Sequence, residues 1–215
     1  MRLLTLCLTL ALPCVALAQK ATASPAPGQF LGVYATIDVK GMEELARRLN
    51  SPRATEHNPA EREVLKDPAS YMPPVLYALG NALSADAGRG EIAIFWYHVG
   101  RLRAVYDSRR CRDATALNIV PALGKTLTAD LIKLQYYQRD RLPPIAAKAV
   151  EWDKSNPRNY DQRWACLSGK VAASSPGTDP NEVQVPESEW PAILQRVHEA
   201  HLKAVSDFAA EKKGR

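Results

Sequence analysis

Four polar residues that could do chemistry lie close together in an otherwise apolar segment: His98, Arg101, Arg103 and Asp107. Polar side chains on an apolar helix need hydrogen-bond partners, because unpaired buried polar groups cost free energy. Those partners are either a ligand held in a cleft or residues of neighbouring helices. The pattern favours a structural hydrogen-bond network, and a binding or catalytic cleft is the alternative.

The same segment is dense in arginine, which binds phosphates and carboxylates well through its planar guanidinium. A phosphate, an acidic glycan or an acidic protein surface would suit such a cluster, although intervening aspartates favour self-neutralised surface pairs. The formal net charge is only +5, with 28 basic and 23 acidic residues, so we do not expect nucleic acid as a partner. The cluster comprises Arg101, Arg103, Arg109, Arg110 and Arg112, with Asp107 and Asp113 among them.

His198-Glu199-Ala200-His201 is a second candidate site, because two histidines on one helix can share a metal ion. The known zinc-protease pattern has its histidines four positions apart, with glutamate directly after the first. The spacing here differs, which favours a packed His201 beside a surface His198. The sequence also has no nucleophile elbow, phosphate-binding glycine loop or Cys-x-x-Cys pair. We therefore expect no catalytic residue, no metal and no cofactor.

The N-terminus resembles a secretory signal peptide. Arg2 precedes an almost unbroken apolar stretch from 3 to 15, and Ala16 and Ala18 are the small residues that a signal peptidase reads. We predict a signal peptide over 1–18, with cleavage between Ala18 and Gln19. The apolar stretch is short for a bilayer span, which needs about 20 residues. The sequence thus predicts export to the periplasm without stable membrane insertion.

Cys14 raises the alternative that the chain is a lipoprotein, in which this cysteine would become the mature N-terminus. Pro13 directly before it fits that processing poorly, so plain cleavage is favoured. Residues 19–29 are rich in Ala, Thr, Ser, Pro and Gly and predict a flexible leader.

Removal of the predicted signal peptide would remove Cys7 and Cys14 and leave two cysteines in the exported chain. Cys111 and Cys166 allow one pairing, and an oxidising compartment favours a disulfide over a metal or redox pair. The bond would close a loop of about 55 residues and contribute on the order of 4 kcal/mol by chain entropy.

Apolar periodicity and proline positions predict an all-α single domain over 30–215, a bundle of about six to seven helices. Its centre is an αα-hairpin formed by a helix from Val75 to about Ala87 and a longer one from Glu91 to about Ser108. Small residues on the longer helix, Gly100 among them, would let a neighbouring helix approach closely. The other helices are expected over 41–50, 111–124, 127–141, 145–155 and 188–210.

Three segments are predicted to be non-helical. Residues 30–39 carry β-branched and aromatic side chains and are interpreted as a short strand or an extended arm. Residues 53–66 are polar and predict a loop with a helical turn. Residues 156–186 predict a long loop held at Cys166, after which Ser188 is expected to cap the last helix.

Two stretches carry a family resemblance. The first runs from Tyr71 to Leu79 and continues through 93–97 and 101–103, and the second covers Val150 to Asp153 and 156–161. Together they resemble a family of small exported proteins of Gram-negative bacteria, associated with immunity to antibacterial effectors delivered by type IV or type VI secretion. The resemblance spans about residues 65 to 165. It implies a protein partner, the cognate effector, and no catalytic residues.

Three functions follow as hypotheses. The first is a periplasmic immunity-type protein that binds and neutralises one effector. The second is an interaction scaffold of the cell envelope, since the hairpin is similar to one tetratricopeptide or Sel1-type unit; a groove lined by Trp96, Tyr97 and the arginines would favour it. The third is an envelope enzyme using His98, Arg101 and Asp107. For the first hypothesis we expect the interface at the arginine cluster and the 156–186 segment.

Overall fold

The computed structural model describes residues 32–86, 88–174 and 180–211, and this part of the chain is helical. The all-α prediction is confirmed, but the helices number about ten rather than six to seven. The described residues contain no strand, only an isolated antiparallel bridge between Cys111 and Gln184. The helices are α1 (Val39–Leu49), α2 (Ala54–Lys66), α3 (Pro73–Ser84), α4 (Gly90–Arg109), α5 (Ile119–Gly124), α6 (Ala129–Tyr137), α7 (Leu142–Ser155), α8 (Lys170–Ser174), α9 (Pro180–Val183) and α10 (Trp190–Ala210).

Helices α3 and α4 form the predicted hairpin. Pro73 occupies the first position of α3, where its fixed φ suits a helix start and its missing N–H costs nothing. The two helices approach closely because each presents a glycine to the other. A Cβ built on Gly80 would lie 3.0 Å from the carbonyl oxygen of Ala93, and one on Gly100 would lie 3.0 Å from the Tyr77 ring.

Helix α4 is the centre of the molecule, because it is buried on nearly all its faces. Helices α3, α7 and α10 pack around it, and α5 and α6 contact it too, while α1 and α2 pack on α3. Leu102, Val99 and Ala104 have no exposed surface. Ile92, which the spacing places on the buried stripe, is instead 46% exposed near the start of the helix.

The predicted disulfide is confirmed, since Cys111 and Cys166 are bonded with their Cα atoms 5.4 Å apart. It joins the chain just after α4 to a 3₁₀ turn at Gln162–Ser168. Two backbone hydrogen bonds hold the segment before α10 to the same place: Arg112 N–H donates to the Val183 carbonyl (2.9 Å), and Val185 N–H donates to the Arg110 carbonyl (2.8 Å). Val185 is thereby fixed beside the last turn of α4.

Two segments predicted as loops are helical. Residues 54–66 form α2, which the sequence pattern missed because little of it is apolar. Ion pairs from α1 to α2, Arg47 to Glu56 (3.2 Å) and Arg48 to Glu63 (3.1 Å), accompany the burial of Ala60 and Val64. The predicted loop over 156–186 contains the 3₁₀ turn Gln162–Ser168 and helices α8 and α9.

Other details also differ from the predictions. Gly32–Tyr34 is a 3₁₀ turn and Val39 begins α1, so the described part of 30–39 forms no strand. Ser188 lies inside a 3₁₀ turn and provides no cap, because α10 begins after Glu189 without a side-chain cap. The region 111–124 divides into a 3₁₀ turn at Ala114–Asn118 and α5.

The predicted signal peptide, its cleavage between Ala18 and Gln19, Cys14 and the 19–29 leader all lie outside the described residues. Within the described part, none of the helices combines the length and apolar character required to cross a membrane.

Candidate functional site

Most of the residues predicted to line a binding surface are in the core. Trp96, Tyr97, His98, Arg103, Asp107 and Arg110 are each at most 9% exposed. They are buried because α4 is covered on most of its circumference, which a single helical stripe does not reveal. Only Arg101 and Arg109 of the predicted set keep their side chains partly or largely in solvent.

Arg103 and Asp153 form a buried ion pair at the meeting point of α4, α7 and α10. The Nε of Arg103 donates to Oδ1 of Asp153 (3.0 Å), and its Nη2 donates to the carbonyls of both Asn156 and Pro157 (3.1 Å each). Arg158 donates to the other carboxylate oxygen (2.6 Å), which lies 2.8 Å from Nε2 of His198. This is the structural network that the sequence favoured for Arg103.

The surroundings of Asp153 set its charge state. Burial would raise the pKa of this carboxyl, but the hydrogen bond with His198 and the charges of Arg158 and Arg103 together lower the pKa below its ordinary value. His198, predicted at the surface, is only 6% exposed because Asp153 draws it inward.

Asp107 lies one turn after Arg103 on α4 and is fully buried. Its Oδ2 accepts hydrogen bonds from Tyr160 Oη (2.9 Å) and Trp164 Nε1 (2.8 Å), while Oδ1 has no partner. Burial raises the pKa of Asp107 to about 6, against the charges of Arg158 and Arg110 and the two hydrogen bonds. Asp107 thus ties α4 to the 3₁₀ turn that carries Cys166.

Arg110 anchors the start of α10. Its guanidinium lies 3.7 Å from the centre of the Trp190 ring and also bonds Gln162. Trp190 in turn donates from Nε1 to the Val185 carbonyl (3.0 Å). A cation over an indole face is attracted by the ring quadrupole, so this contact fixes α10 against the end of α4.

Between α4 and α10 lies a cleft of about 490 Å³. That volume is within the ordinary range for ligand sites, about 300–1,000 Å³. Apolar side chains from both helices and from the segment before α10 form its floor: Leu102, Val105, Val185, Ile193 and Val197. Ala200 and Ala204 line the α10 wall, and their small side chains leave the cleft open.

The rim of this cleft is basic. Arg101 and Arg109 stand on the α4 side and Arg196 on the α10 side, with Glu189 as the one acidic residue of the lining. None of the three arginines forms an ion pair with a described residue, unlike Arg103 or Arg158 in the core. The rim therefore presents positive charge that the described part of the chain leaves uncompensated.

His201 forms part of the cleft wall, and His98 packs behind it in the core. The rings of His201, which lines the cleft, and His98 are edge to face with centroids 5.0 Å apart. Both ring nitrogens of His98 and Nε2 of His201 are buried without hydrogen-bond partners. Burial lowers the pKa of His201 to about 4, with the charge of Arg101 acting in the same direction, and burial likewise lowers the pKa of His98.

The histidine motif on α10 does not form a shared ligand set. His198 turns to Asp153 and His201 turns to His98, so their nitrogens do not converge. Within the ranges that the structure describes, no three His, Cys, Asp or Glu side chains are grouped to hold a metal ion.

Sequence reasoning found Arg101 and Arg109 on α4, interpreted His201 on α10 as a packed residue, and missed the open face of α10. Arg196, Ala200 and Ala204 follow one another at helical spacing next to the predicted stripe, and this is the signal that marks a second, open face. Local sequence patterns do not show which helix packs against α4, because that contact joins residues far apart in the sequence.

Comparison of the chain with protein-family models, with curated proteins and with solved structures finds no match.

Proposed function

We propose that this protein is an exported, periplasmic immunity-type protein that binds a protein partner through the α4–α10 cleft. The partner is the cognate antibacterial effector, and binding blocks the effector's action. The observation that carries the proposal is the cleft itself, with an apolar floor between three arginines that form no ion pair with a described residue.

The composition of the cleft supports a protein partner. Arginine is over-represented among the residues that dominate binding energy at protein interfaces, typically next to a desolvated apolar centre. Positive charge on the rim also speeds association with an acidic surface and rejects basic ones. A blocked active site is often charged, and its inhibitor then carries the complementary charge.

Three residues from the two regions expected to form the interface line this cleft, which supports the proposal. Arg101 and Arg109 come from the arginine cluster, and Val185 comes from the 156–186 segment. The disulfide and the hydrogen bonds at 183–185 hold that segment against α4, so the cleft is preorganised. Preorganisation raises affinity because little entropy is lost on binding.

The other two hypotheses have less support. The groove expected for a scaffold is not formed, because Trp96 and Tyr97 are in the core. An enzyme would need His98 and Asp107 to reach a substrate, and both are enclosed by protein.

The test is co-expression of the protein, without residues 1–18, with the products of neighbouring genes. We expect a one-to-one complex with a single product whose toxicity disappears on binding. Replacing Arg101, Arg109 and Arg196 together by Glu should weaken that complex at least about 100-fold, since each tenfold is about 1.4 kcal/mol. Arg62→Glu, at an exposed arginine of α2 outside the cleft, is the matched control and should leave the affinity unchanged. Full binding by the triple variant, or no toxic neighbour neutralised by the protein, would contradict the proposal.

A further inference from the structure

We infer that the segment of the partner that enters the α4–α10 cleft is an amphipathic α-helix with acidic residues along its flanks. This inference rests on the proposed function, because it specifies the element that the cleft receives. Three properties of the cleft lead to it: its shape, the lack of backbone partners on its floor, and the spacing of its arginines.

The shape is a trough between two helices. Along α10 the lining runs from Ile193 to Ala204, which is about 16 Å at 1.5 Å per residue. Three turns of a helix have that length. The two alanines of the wall, Ala200 and Ala204, are one turn apart and exposed, so a helix can approach α10 without a clash of side chains.

The floor offers side chains and no free backbone groups. The floor residues lie on helices, apart from Val185, and helical N–H and C=O groups are already paired within their own helix. The Val185 N–H is paired as well, with the Arg110 carbonyl. An extended segment would bury its own N–H and C=O groups against this apolar floor without partners. A helix satisfies its backbone internally, and helix-in-groove binding is a common form of recognition for this reason.

The charges give the spacing of the acidic residues. Arg101 and Arg109 are eight positions apart on α4, which places them about 12 Å apart along the helix axis. Acidic residues seven or eight positions apart on one flank of the incoming helix can reach both. Arg196 on the opposite wall can pair with an acidic residue on the other flank. Apolar residues between the flanks then face Val105 and Val197 on the floor.

The probe is a designed helical peptide of about 14 residues, about 21 Å long as a helix. It carries leucine at three positions with i, i+4, i+7 spacing and glutamate on both flanks. A second peptide has lysine in place of every glutamate. Binding to the protein without residues 1–18 is followed by fluorescence anisotropy, and the helix content of the bound peptide by circular dichroism. We expect the acidic peptide to bind at least about tenfold more tightly than the basic one and to gain helix on binding.

Two cleft variants make the test specific. Ala200→Trp and Ala204→Trp place a large ring in the open cleft, at exposed positions where the fold tolerates bulk, and each should weaken the acidic peptide at least about tenfold. Ala192→Trp, at an exposed alanine of α10 outside the cleft lining, should not. The inference is wrong if the acidic peptide fails to bind at about 1 mM, if both peptides bind alike, if the bound peptide gains no helix, or if the cleft variants bind as the control does. In any of those cases, a toxic partner that binds the protein but does not bind the arginine triple variant would still support the proposed function. Only the inference that the partner inserts a helix would then be excluded.

Discussion

The guanidinium of Arg103 lies 3.0 Å from the carboxylate of Asp153, and neither side chain has any surface exposed to solvent. Their residues are fifty positions apart in the sequence, on α4 and α7, and His198 joins them from α10. Three helices therefore meet at one buried charge pair, which makes this pair the first place to test the fold.

Asp153→Ala should destabilise the protein by about 3–5 kcal/mol, because it leaves the buried Arg103 without a counter-charge. The measurement is urea unfolding followed by tryptophan fluorescence. Lys154→Ala removes a partner of the exposed pair with Glu151 and is expected to change stability by less than about 1 kcal/mol. The double change Arg103→Met with Asp153→Leu should recover the part of the loss that is due to the unpaired Arg103, whereas Arg158 and His198 still lose their acceptor. Equal losses in Asp153→Ala and Lys154→Ala would show that the buried pair has no special role.

Replacing Cys111 and Cys166 together by Ser should lower the free energy of unfolding by about 4 kcal/mol, because the bond closes a loop of 55 residues in the unfolded chain. Urea unfolding of the oxidised protein, the reduced protein and the double variant measures the effect. The reduced protein and the variant should agree. A variant as stable as the oxidised protein would exclude this contribution.

Gly80→Ala should destabilise the protein by about 1–3 kcal/mol, because the added methyl group meets the backbone of α4 at Ala93 and Tyr97. Gly124→Ala is the matched control, because no atom lies within 4 Å of the Cβ position there. That control should be neutral or stabilising by up to about 1 kcal/mol, since alanine loses less backbone entropy on folding. Thermal unfolding of both variants measures these effects. A stabilised Gly80→Ala variant would show that α3 and α4 can move apart to accommodate the methyl group.

Acid should destabilise the seam between α4 and α10 through its histidines. The ordinary histidine pKa is about 6.5, whereas that of His201 in the fold is about 4, so the unfolded chain binds more protons between these values. This contribution to stability is complete above about pH 6.5 and is lost progressively towards pH 4. His201→Phe should reduce the slope of unfolding free energy against pH by up to about 1.4 kcal/mol per pH unit in that window.

Asp107 gives a change of opposite sign, which serves as an internal check on the same titration. Its pKa is raised to about 6, so the folded protein binds more protons than the unfolded chain between about pH 4 and 6, and Asp107 favours folding as the pH falls. Asp107→Asn should therefore steepen the slope that His201→Phe flattens. Slopes that move together in the two variants would contradict both assignments.

The sequence predicted the features that depend on local pattern. Proline at the start of α3 and the apolar spacing of α4 located the hairpin, and the two cysteines outside the predicted signal peptide allowed one pairing. These predictions succeed because capping, periodicity and a single pairing are decided by neighbouring residues or by counting.

The features that it missed depend on contacts between distant positions. Helix α2 has few apolar residues and packs against α1 and α3 with ion pairs to α1, which its own pattern does not reveal. The sequence favours a hydrogen-bond network for Arg103 and Asp107 but does not identify its partners, because Asp153 and Tyr160 lie about fifty positions later in the chain. The cleft likewise needs α10 to lie against α4, and only the folded chain brings them together.

His198 lies on α10 and bonds Asp153, so the buried charge network is complete only after the last helix has packed against the others. Ribosomes release a chain from its N-terminus, so Arg103 and Asp153 emerge well before α10. Until α10 arrives, the α4 face that it covers is open to water and the Asp153 carboxylate lacks one of its hydrogen bonds. A chain cut short before Trp190 therefore exposes apolar surface to proteases and chaperones, and only a full-length copy escapes them.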